Sequence, residues 1–272
     1  MIDLHTHTAA SDGRLTATDL VRQAWLAGIR VIAVTDHDTL GGLDEAVRAT
    51  SEFGLRLIEG VEVTAIERDR DVHVLGYFVN RAHAGFQAFL SAQRDARVVR
   101  VREIGNALTK LGAPIDVERI LAADPEGDVA VGRPAIAAAL VAAGHVRTPR
   151  EAFDRFLGTR GAAFVPRLGP TVVEAIAKIH EAGGLASLAH PAHNRADDRI
   201  AEWKRAGLDA LEAYHSDHDA VALDRYLQIA ARCDLAVTGG SDYHGDERAE
   251  RARLGRVTLP DAEFDRLCRL RS

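Results

Sequence analysis

The chain reads as an α/β protein built as a barrel of parallel strands. Three observations predict this. Short apolar runs alternate with helical segments in both the first and last parts of the chain, which is the pattern of strand–helix–strand units. Residues able to bind metal fall just after several of those runs, as the loops on one face of a barrel would place them. The length of 272 residues suits one barrel of ordinary size, or two modest domains.

The elements follow in order. Met1 to Leu4 is a short buried strand that runs into His5-Thr6-His7. Leu15 to Ala27 is a helix, with apolar residues at Leu15, Leu20, Val21, Ala24 and Trp25 and a stop at Gly28. Val31 to Val34 is a strand that ends at Thr35-Asp36-His37-Asp38, and Gly42 to Phe53 is a helix closed by Gly54. Leu55 to Ile58 is a third strand, followed by Glu59-Gly60-Val61-Glu62, and Val72 to Val79 is a fourth. The alternation predicts parallel pairing with right-handed crossovers.

The rhythm then changes. From 84 to 158 the chain is helix-like, with one long helix over Phe86–Leu111 and shorter ones over Asp116–Ala123, Arg133–Ala143 and Arg150–Phe156. This segment is expected to be a helical insertion that caps the barrel mouth, because long detours at a ligand face serve substrate choice. The barrel is expected to comprise 1–83 and 159–272. Its second part holds a helix over Thr171–Ala182, a strand over Leu185–Ala189 that delivers His190-Pro191, and a helix over Ile200–Ala206. A strand over Ala210–Ala213, a helix over Ala220–Cys233 and a strand over Leu235–Thr238 follow, the last ending at Asp242-Tyr243-His244. Leu254–Leu259 reads as a last edge strand and Asp261–Leu270 as a terminal helix.

Composition narrows the function. The chain is 47% hydrophobic and 27% charged, an ordinary globular balance, and with 5% aromatics its core must be filled by Ala, Val and Leu. A formal net charge of -6 offers no broad basic face for duplex DNA. Cys233 and Cys268 form no CxxC pair, so a thiolate zinc motif is absent and a reducing cytosol fits. No apolar stretch is long enough to span a membrane, and the opening residues do not read as a signal peptide. The expected location is therefore cytoplasmic. No phosphate-loop, dinucleotide or nucleophile-elbow motif occurs.

Nine residues carry the candidate chemistry: His5, His7, Asp12, His37, Glu62, His73, His190, Asp242 and His244. Residues two apart on a strand point the same way, so His5 and His7 can reach one ion together. Asp242 and His244 share that spacing. Imidazole and carboxylate donors without thiolate suit manganese, iron, zinc or magnesium. A carboxylate such as Glu62 can bridge two ions, and paired ions about 3.5–4 Å apart clamp a phosphoryl group and acidify water to a pKa of roughly 7. Taken singly, each feature has an ordinary explanation. A His-x-His is usually surface or core, His73 alone is a core histidine, and Asp12-Gly13 alone is a turn. The joint placement after strands favours metal. His83, His145 and His180 have no such partners. His193, His215 and His218 are expected in loops of the same face, where a substrate role is open.

The segments HTHTAASDG, TDHDT, EGVEVTA, HVLGY, the AHP at 189–191 and GGSDYHG together resemble the PHP (polymerase and histidinol phosphatase) superfamily. The resemblance implies a distorted (β/α)7 barrel, TIM-like, and a trinuclear centre of divalent ions, manganese first among them. It implies that His5, His7, Glu62 and Asp242 hold one ion, Glu62, His73 and His190 a second, and Asp12, His37 and His244 a third. Histidinol phosphatases use His where this chain has Asp12, which argues against histidinol phosphate. The stretch VGRPAIAAALVAAGHV, with EAFDRFLG and VPR after it, is similar to a bacterial subgroup of nucleoside 3',5'-bisphosphate phosphatases and enzymes that degrade short RNA from its 5' end.

The expected function is therefore hydrolysis of a small phosphorylated nucleotide or a short oligoribonucleotide by metal-activated water, with Asp12, His37 and His244 in catalytic roles. Arg133, beside Pro134 at a predicted helix start, is the first candidate for binding phosphate, since a guanidinium fork matches phosphate oxygens in pairs. Arg167, His193 and His218 are further substrate candidates. The rival readings are a histidinol-phosphate phosphatase and a non-catalytic metal-binding accessory module.

Overall fold

In a computed structural model of the chain, residues 1–68, 70–122, 132–194, 196–246 and 252–271 are described. Two compact units emerge, one formed by Met1–Leu90 with Pro170–Ser272 and the other by Ser91–Gly169. The expected insertion began at 84 and ended at 158, so the observed division lies several residues later at both joints.

The first unit holds a sheet whose strands neighbour one another in chain order: β1 (Ile2–Asp3), β2 (Val31–Val34), β3 (Arg56–Glu67), β4 (Arg70–Tyr77), β5 (Leu185–Leu188), β6 (Ala210–His215) and β7 (Ala236–Gly240). Backbone bonds from Leu4 N–H to the Gly239 carbonyl (3.1 Å) and from Asp242 N–H to the His5 carbonyl (2.9 Å) bring the two edges together, giving a nearly closed TIM-like barrel. Around it lie α1 (Ala17–Leu26) and α2 (Leu43–Phe53), then the start of the long α3 (Ala84–Lys110). In the second unit follow α4 (Val117–Ala122), α5 (Arg133–Ala142) and α6 (Pro149–Ala152), the last continued by a π-helical turn over Phe153–Leu157. The barrel resumes with α7 (Val172–Glu181), α8 (Pro191–Asn194), α9 (Ile200–Arg205), α10 (Ala220–Cys233) and α11 (Asp261–Arg269).

Local sequence explains most ends. Thr16 and Thr171 cap α1 and α7, and Thr171 forms a reciprocal capping box with Glu174. Gly54 closes α2 in the left-handed conformation, φ 71°. β1, β2, β5 and β7 are buried throughout, and β2 reads as the continuous apolar run Val31-Ile32-Ala33-Val34. The core of the first unit includes Ile2, Val31, Ile58, Val74, Ile176, Leu211 and Trp203. The second unit has a core of its own, with Val101, Ile104 and Leu108 of α3 packed with Ile136 and Leu140 of α5.

Two expectations are overturned. Strand pairing is not parallel throughout: β4 runs antiparallel to both β3 and β5. The cause is the short link between Glu67 and Arg70, which can close a hairpin but not a crossover. It follows that β3 is three times the length read from Leu55–Ile58, and that Glu62 lies within a strand rather than after one, whereas His73 lies within its strand as expected. The edge strand expected over Leu254–Leu259 does not form. Leu259 makes one backbone bond to Ile2 (3.0 Å) and Pro260 then caps α11, so no ladder develops. The charged run over 247–253 lies largely outside the described residues, as does Ala123.

Candidate metal centre

β1 leads directly into His5 and His7, both fully buried and two apart, so their rings point to the same side. β3 extends past the end of β2, and an isolated bridge pairs His37 with Glu62 just beyond that end. Glu62 therefore reaches the mouth from inside a strand. His73 pairs across the hairpin with Thr64, two residues from Glu62, so it shares the face of Glu62. Because β4 is antiparallel, its early residues lie at the mouth. That is how a histidine near the start of a strand joins groups near the ends of the others.

Glu62 is the hub. Its Oε2 lies 3.2 Å from His5 Nε2, 3.2 Å from His7 Nε2 and 3.2 Å from His37 Nδ1. Its Oε1 lies 2.8 Å from His73 Nδ1 and 3.0 Å from His190 Nε2. Each carboxylate oxygen thus faces a different set of imidazoles. Asp242 Oδ1 sits 3.2 Å from His7 Nε2 and 3.4 Å from His5 Nε2. Asp12 closes the outer side, 3.2 Å from His244 Nε2, 3.5 Å from His7 Nδ1 and 3.6 Å from His37 Nε2.

The nine residues singled out from the sequence thus meet in one cluster. Groups of donor atoms within 4.8 Å of one another comprise His5, His7, Glu62 and Asp242; His7, Asp12, His37 and His244; His37, Glu62 and His73; and a fourth that joins His5 to Glu212 and His215, which are not among the nine. His5, His7 and His37 each belong to two groups, which the sequence did not anticipate.

The donor set fits metal cations. Buried nitrogens of His7 (both), His37 (Nδ1) and His190 (Nδ1) lack hydrogen-bond partners, although several carboxylate oxygens lie near them. Such orphans cost about 1–3 kcal/mol each unless something else satisfies them. Two ligands bound to one ion at about 2.1 Å stand roughly 3–3.4 Å apart, the separation seen around Glu62. Electrostatics agree. Burial disfavours charge on His7, but Asp242 and Glu62 outweigh it and raise its pKa to about 10. Burial would raise Glu62 and Asp242, yet the surrounding histidines hold both well below the carboxylate range. His37 is pushed down to about 3 by burial, ahead of the opposing pull of Glu62 and Asp12. Protons and cations compete for the same nitrogens, so binding should strengthen as pH rises.

The cluster is graded in exposure. His5 and His7 side chains are 0% exposed and Glu62 1%, whereas Asp12 is 43% and His244 32% exposed. A substrate can reach the second pair. The backbone is held in the left-handed region at Asp38 (φ 52°), His190 (φ 25°) and Asp242 (φ 54°), strain of about 1–3 kcal/mol each that such sites commonly store. Gly240 is required beside them, since a Cβ there would collide with the backbone of His5.

The remaining candidates divide. His193, on α8, lies with its ring 5.1 Å from that of His190 and its Nε2 3.1 Å from Asp217. His218 is turned inward, its Nδ1 2.8 Å from the Ala213 carbonyl and its ring stacked on Tyr226. Arg133 opens α5 after an extended Gly132, and Arg167 lies in irregular backbone; both belong to the second unit. His83, His145 and His180 make ordinary contacts with Phe86 N–H, the Pro114 carbonyl and Asp209. Sequence reasoning passed over Asp36, whose carboxylate accepts from Thr8 N–H, Thr8 Oγ1 and Ser11 Oγ at 2.7 Å each and so pins the loop carrying Asp12. It also passed over Asp38, which accepts from Thr64 N–H at 2.8 Å, and Glu212.

Comparison with known proteins places this geometry. A family model described as the PHP domain matches residues 3–253. A 5'-3' exoribonuclease of Haemophilus influenzae is 36% identical over 249 residues, covering 89% of each chain. A 3',5'-nucleoside bisphosphate phosphatase of Chromobacterium violaceum is 30% identical, covering 89% of this chain and 87% of its own. A phosphoribosyl 1,2-cyclic phosphate 1,2-diphosphodiesterase of Eggerthella lenta is 31% identical, covering 89% and 94%. Among solved structures, a protein of Bifidobacterium adolescentis described as a metal-dependent phosphoesterase aligns with a TM-score of 0.86 at 37% identity, covering 98% of this chain and 96% of that one.

Proposed function

The chain belongs to the PHP domain family and is a hydrolytic phosphoesterase, and from that premise we propose that it removes the 3'-phosphate of nucleoside 3',5'-bisphosphates and trims short 5'-phosphorylated RNA from its 5' end. The observation that carries the reading is Glu62, a buried carboxylate whose two oxygens each face separate imidazoles. The relatives that act on RNA and on bisphosphonucleosides support the choice of substrate. Both substrates present a phosphate beside the bond to be cut, so one site can serve both.

We assign three divalent ions, manganese first, to the nine clustered residues. When bound, such ions polarise phosphoryl oxygens and acidify water near neutral pH. Glu62 and Asp242 supply negative charge that balances them, and the buried His5 and His7 fix their position from below. Asp12, His37 and His244 form the side that meets substrate. His193, half-exposed beside His190, is the better of the two histidine candidates for a substrate contact, since His218 is engaged with Ala213. Arg133 and Arg167 keep the phosphate-binding role expected from their sequence context. Free thiols at Cys233 and Cys268 accord with a cytoplasmic location.

An assay panel tests this. Adenosine 3',5'-bisphosphate and a short 5'-phosphorylated RNA should be turned over; hydrolysis of histidinol phosphate alone, or of a ribosyl cyclic phosphate alone, would refute the choice. Metal bound with no phosphoester hydrolysed would favour the accessory-module reading. In the same assays Arg133→Ala should raise KM about tenfold, the loss of a charge-assisted contact worth roughly 1.4 kcal/mol, with metal content unchanged. Loss of metal in that variant contradicts the assignment.

A further inference from the structure

β6 contributes none of the nine clustered residues, yet two of its side chains stand directly behind them. Glu212 and His215 are buried, at 0% and 3% exposure. They are three apart in sequence, and in a regular strand such residues point to opposite faces. The register of β6 against β7 shifts between Glu212 and Tyr214. The extra residue of that bulge turns His215 to the same side as Glu212. Tyr214 is left half-buried, and Gly239 opposite it makes the room: a Cβ on Gly239 would lie 2.5 Å from the Tyr214 Cβ and 2.7 Å from its carbonyl oxygen.

The contacts of the two residues are specific. Glu212 Oε1 lies 3.0 Å from His5 Nδ1, and Glu212 Oε2 accepts the His190 backbone N–H at 2.7 Å. His5 Nδ1–H is thus directed at Glu212, which leaves Nε2 facing Glu62 and Asp242. The His190 amide is tied down at the residue whose own backbone sits at φ 25°. His215 Nδ1 accepts the Asp217 N–H at 3.2 Å, so its proton belongs on Nε2. That nitrogen lies 3.4 Å from Asp242 Oδ2, the oxygen turned away from His5 and His7.

We propose that Glu212 and His215 are paired positioning residues, set on one face by the β6 bulge, which fix the ring of His5, the backbone of His190 and the carboxylate of Asp242 so that their donor atoms face a common cation. The inference rests on the metal reading above. Carboxylate partners of this kind set a histidine's tautomer and raise its basicity as a ligand. One residue here serves donors from two separate parts of the chain, so loss of Glu212 should loosen both.

The test uses the full chain with Zn2+ as the probe ion and a chromogenic chelator as competitor, alongside phosphate release. Glu212→Gln keeps the volume but replaces one acceptor oxygen with a donor, so either His5 or His190 loses its partner. It should weaken Zn2+ binding about 10- to 100-fold with an unchanged far-ultraviolet spectrum. His215→Gln retains an N–H near the position of Nε2, whereas His215→Leu only fills the space. The Leu variant should lose affinity and turnover about tenfold or more and the Gln variant should recover most of both. The His215 pair carries the test by itself if Glu212→Gln fails to fold. Wild-type Zn2+ affinity in Glu212→Gln, or equal affinity and turnover in the two His215 variants, would overturn the proposal. Tight Zn2+ binding by the parent without phosphoester hydrolysis would instead sink the proposed function and leave the affinity comparison standing.

Discussion

At the mouth of the barrel, five histidines surround Glu62 at 2.8–3.2 Å, and several of their nitrogens lack hydrogen-bond partners. At the opposite end of the same strands, His180 lies 2.7 Å from one oxygen of Asp209, and that oxygen also accepts the Ala186 amide at 2.8 Å. Both regions join an imidazole to a carboxylate. At the lower end His180, Asp209 and the Ala186 amide are matched to one another, and the contact ties α7 to the starts of β5 and β6. At the mouth the protein leaves valences open and holds His190 and Asp242 in strained backbone conformations. The difference teaches which end is built for stability and which for a ligand, because unsatisfied buried groups persist only where something else completes them.

The sharpest way to break this contrast is at Glu62. Glu62→Gln removes the charge that the imidazoles share and should abolish most metal binding, lowering kcat/KM by about 10³-fold, roughly 4 kcal/mol. Elemental analysis and steady-state kinetics check it, and a variant that keeps both metal and activity would dissolve the contrast. Chelation should come next in size. If free metal stands at about 100 times its Kd, stripping it removes about 2.7 kcal/mol of stability. Thermal unfolding should show a lower Tm, and hydrogen exchange should quicken at His190 and Asp242 while the Ala186 amide is unchanged. Equal exchange at both ends would mean the mouth owes nothing to a cation.

The smallest effect belongs to the lower end. Asp209 raises the pKa of His180 through their hydrogen bond, against a smaller opposing effect of burial. A raised histidine pKa stabilises the fold fully below the unfolded value of about 6.5 and loses that contribution as pH rises through the folded value. The His180 side chain is 37% exposed, so solvent screening keeps the gain well under about 1 kcal/mol. His180→Ala should therefore lose a little stability in denaturant melts at about pH 5.5 and nothing at about pH 8.5, with turnover unaltered. A large loss of activity would show that the two ends are coupled.

Much of this was legible before the fold. Apolar periodicity located the longer helices to within a residue or two, since their buried faces and Thr caps are local features, but it missed the one-turn α8. His-x-His and the strand-end pattern marked the nine clustered residues because spacing along a strand sets direction. The antiparallel β4 was hidden, because the polar stretch from Thr64 to Arg70 reads as loop until the hairpin pairs it. Glu212 and His215 were hidden as well. Their spacing of three signals nothing without the bulge, and a bulge depends on the neighbouring strand.

The chain alone thus determined its element types, its barrel class and the kinds of donor it carries, all of which follow from side-chain chemistry and near-neighbour spacing. Only the tertiary structure decided which oxygen of Glu62 faces which ring, that His73 enters from an antiparallel strand, and that β6 stands behind His5 and Asp242. Those facts depend on register between strands far apart in sequence, as in the contact of His5 with Glu212 across 207 positions, and no local pattern encodes such a distance.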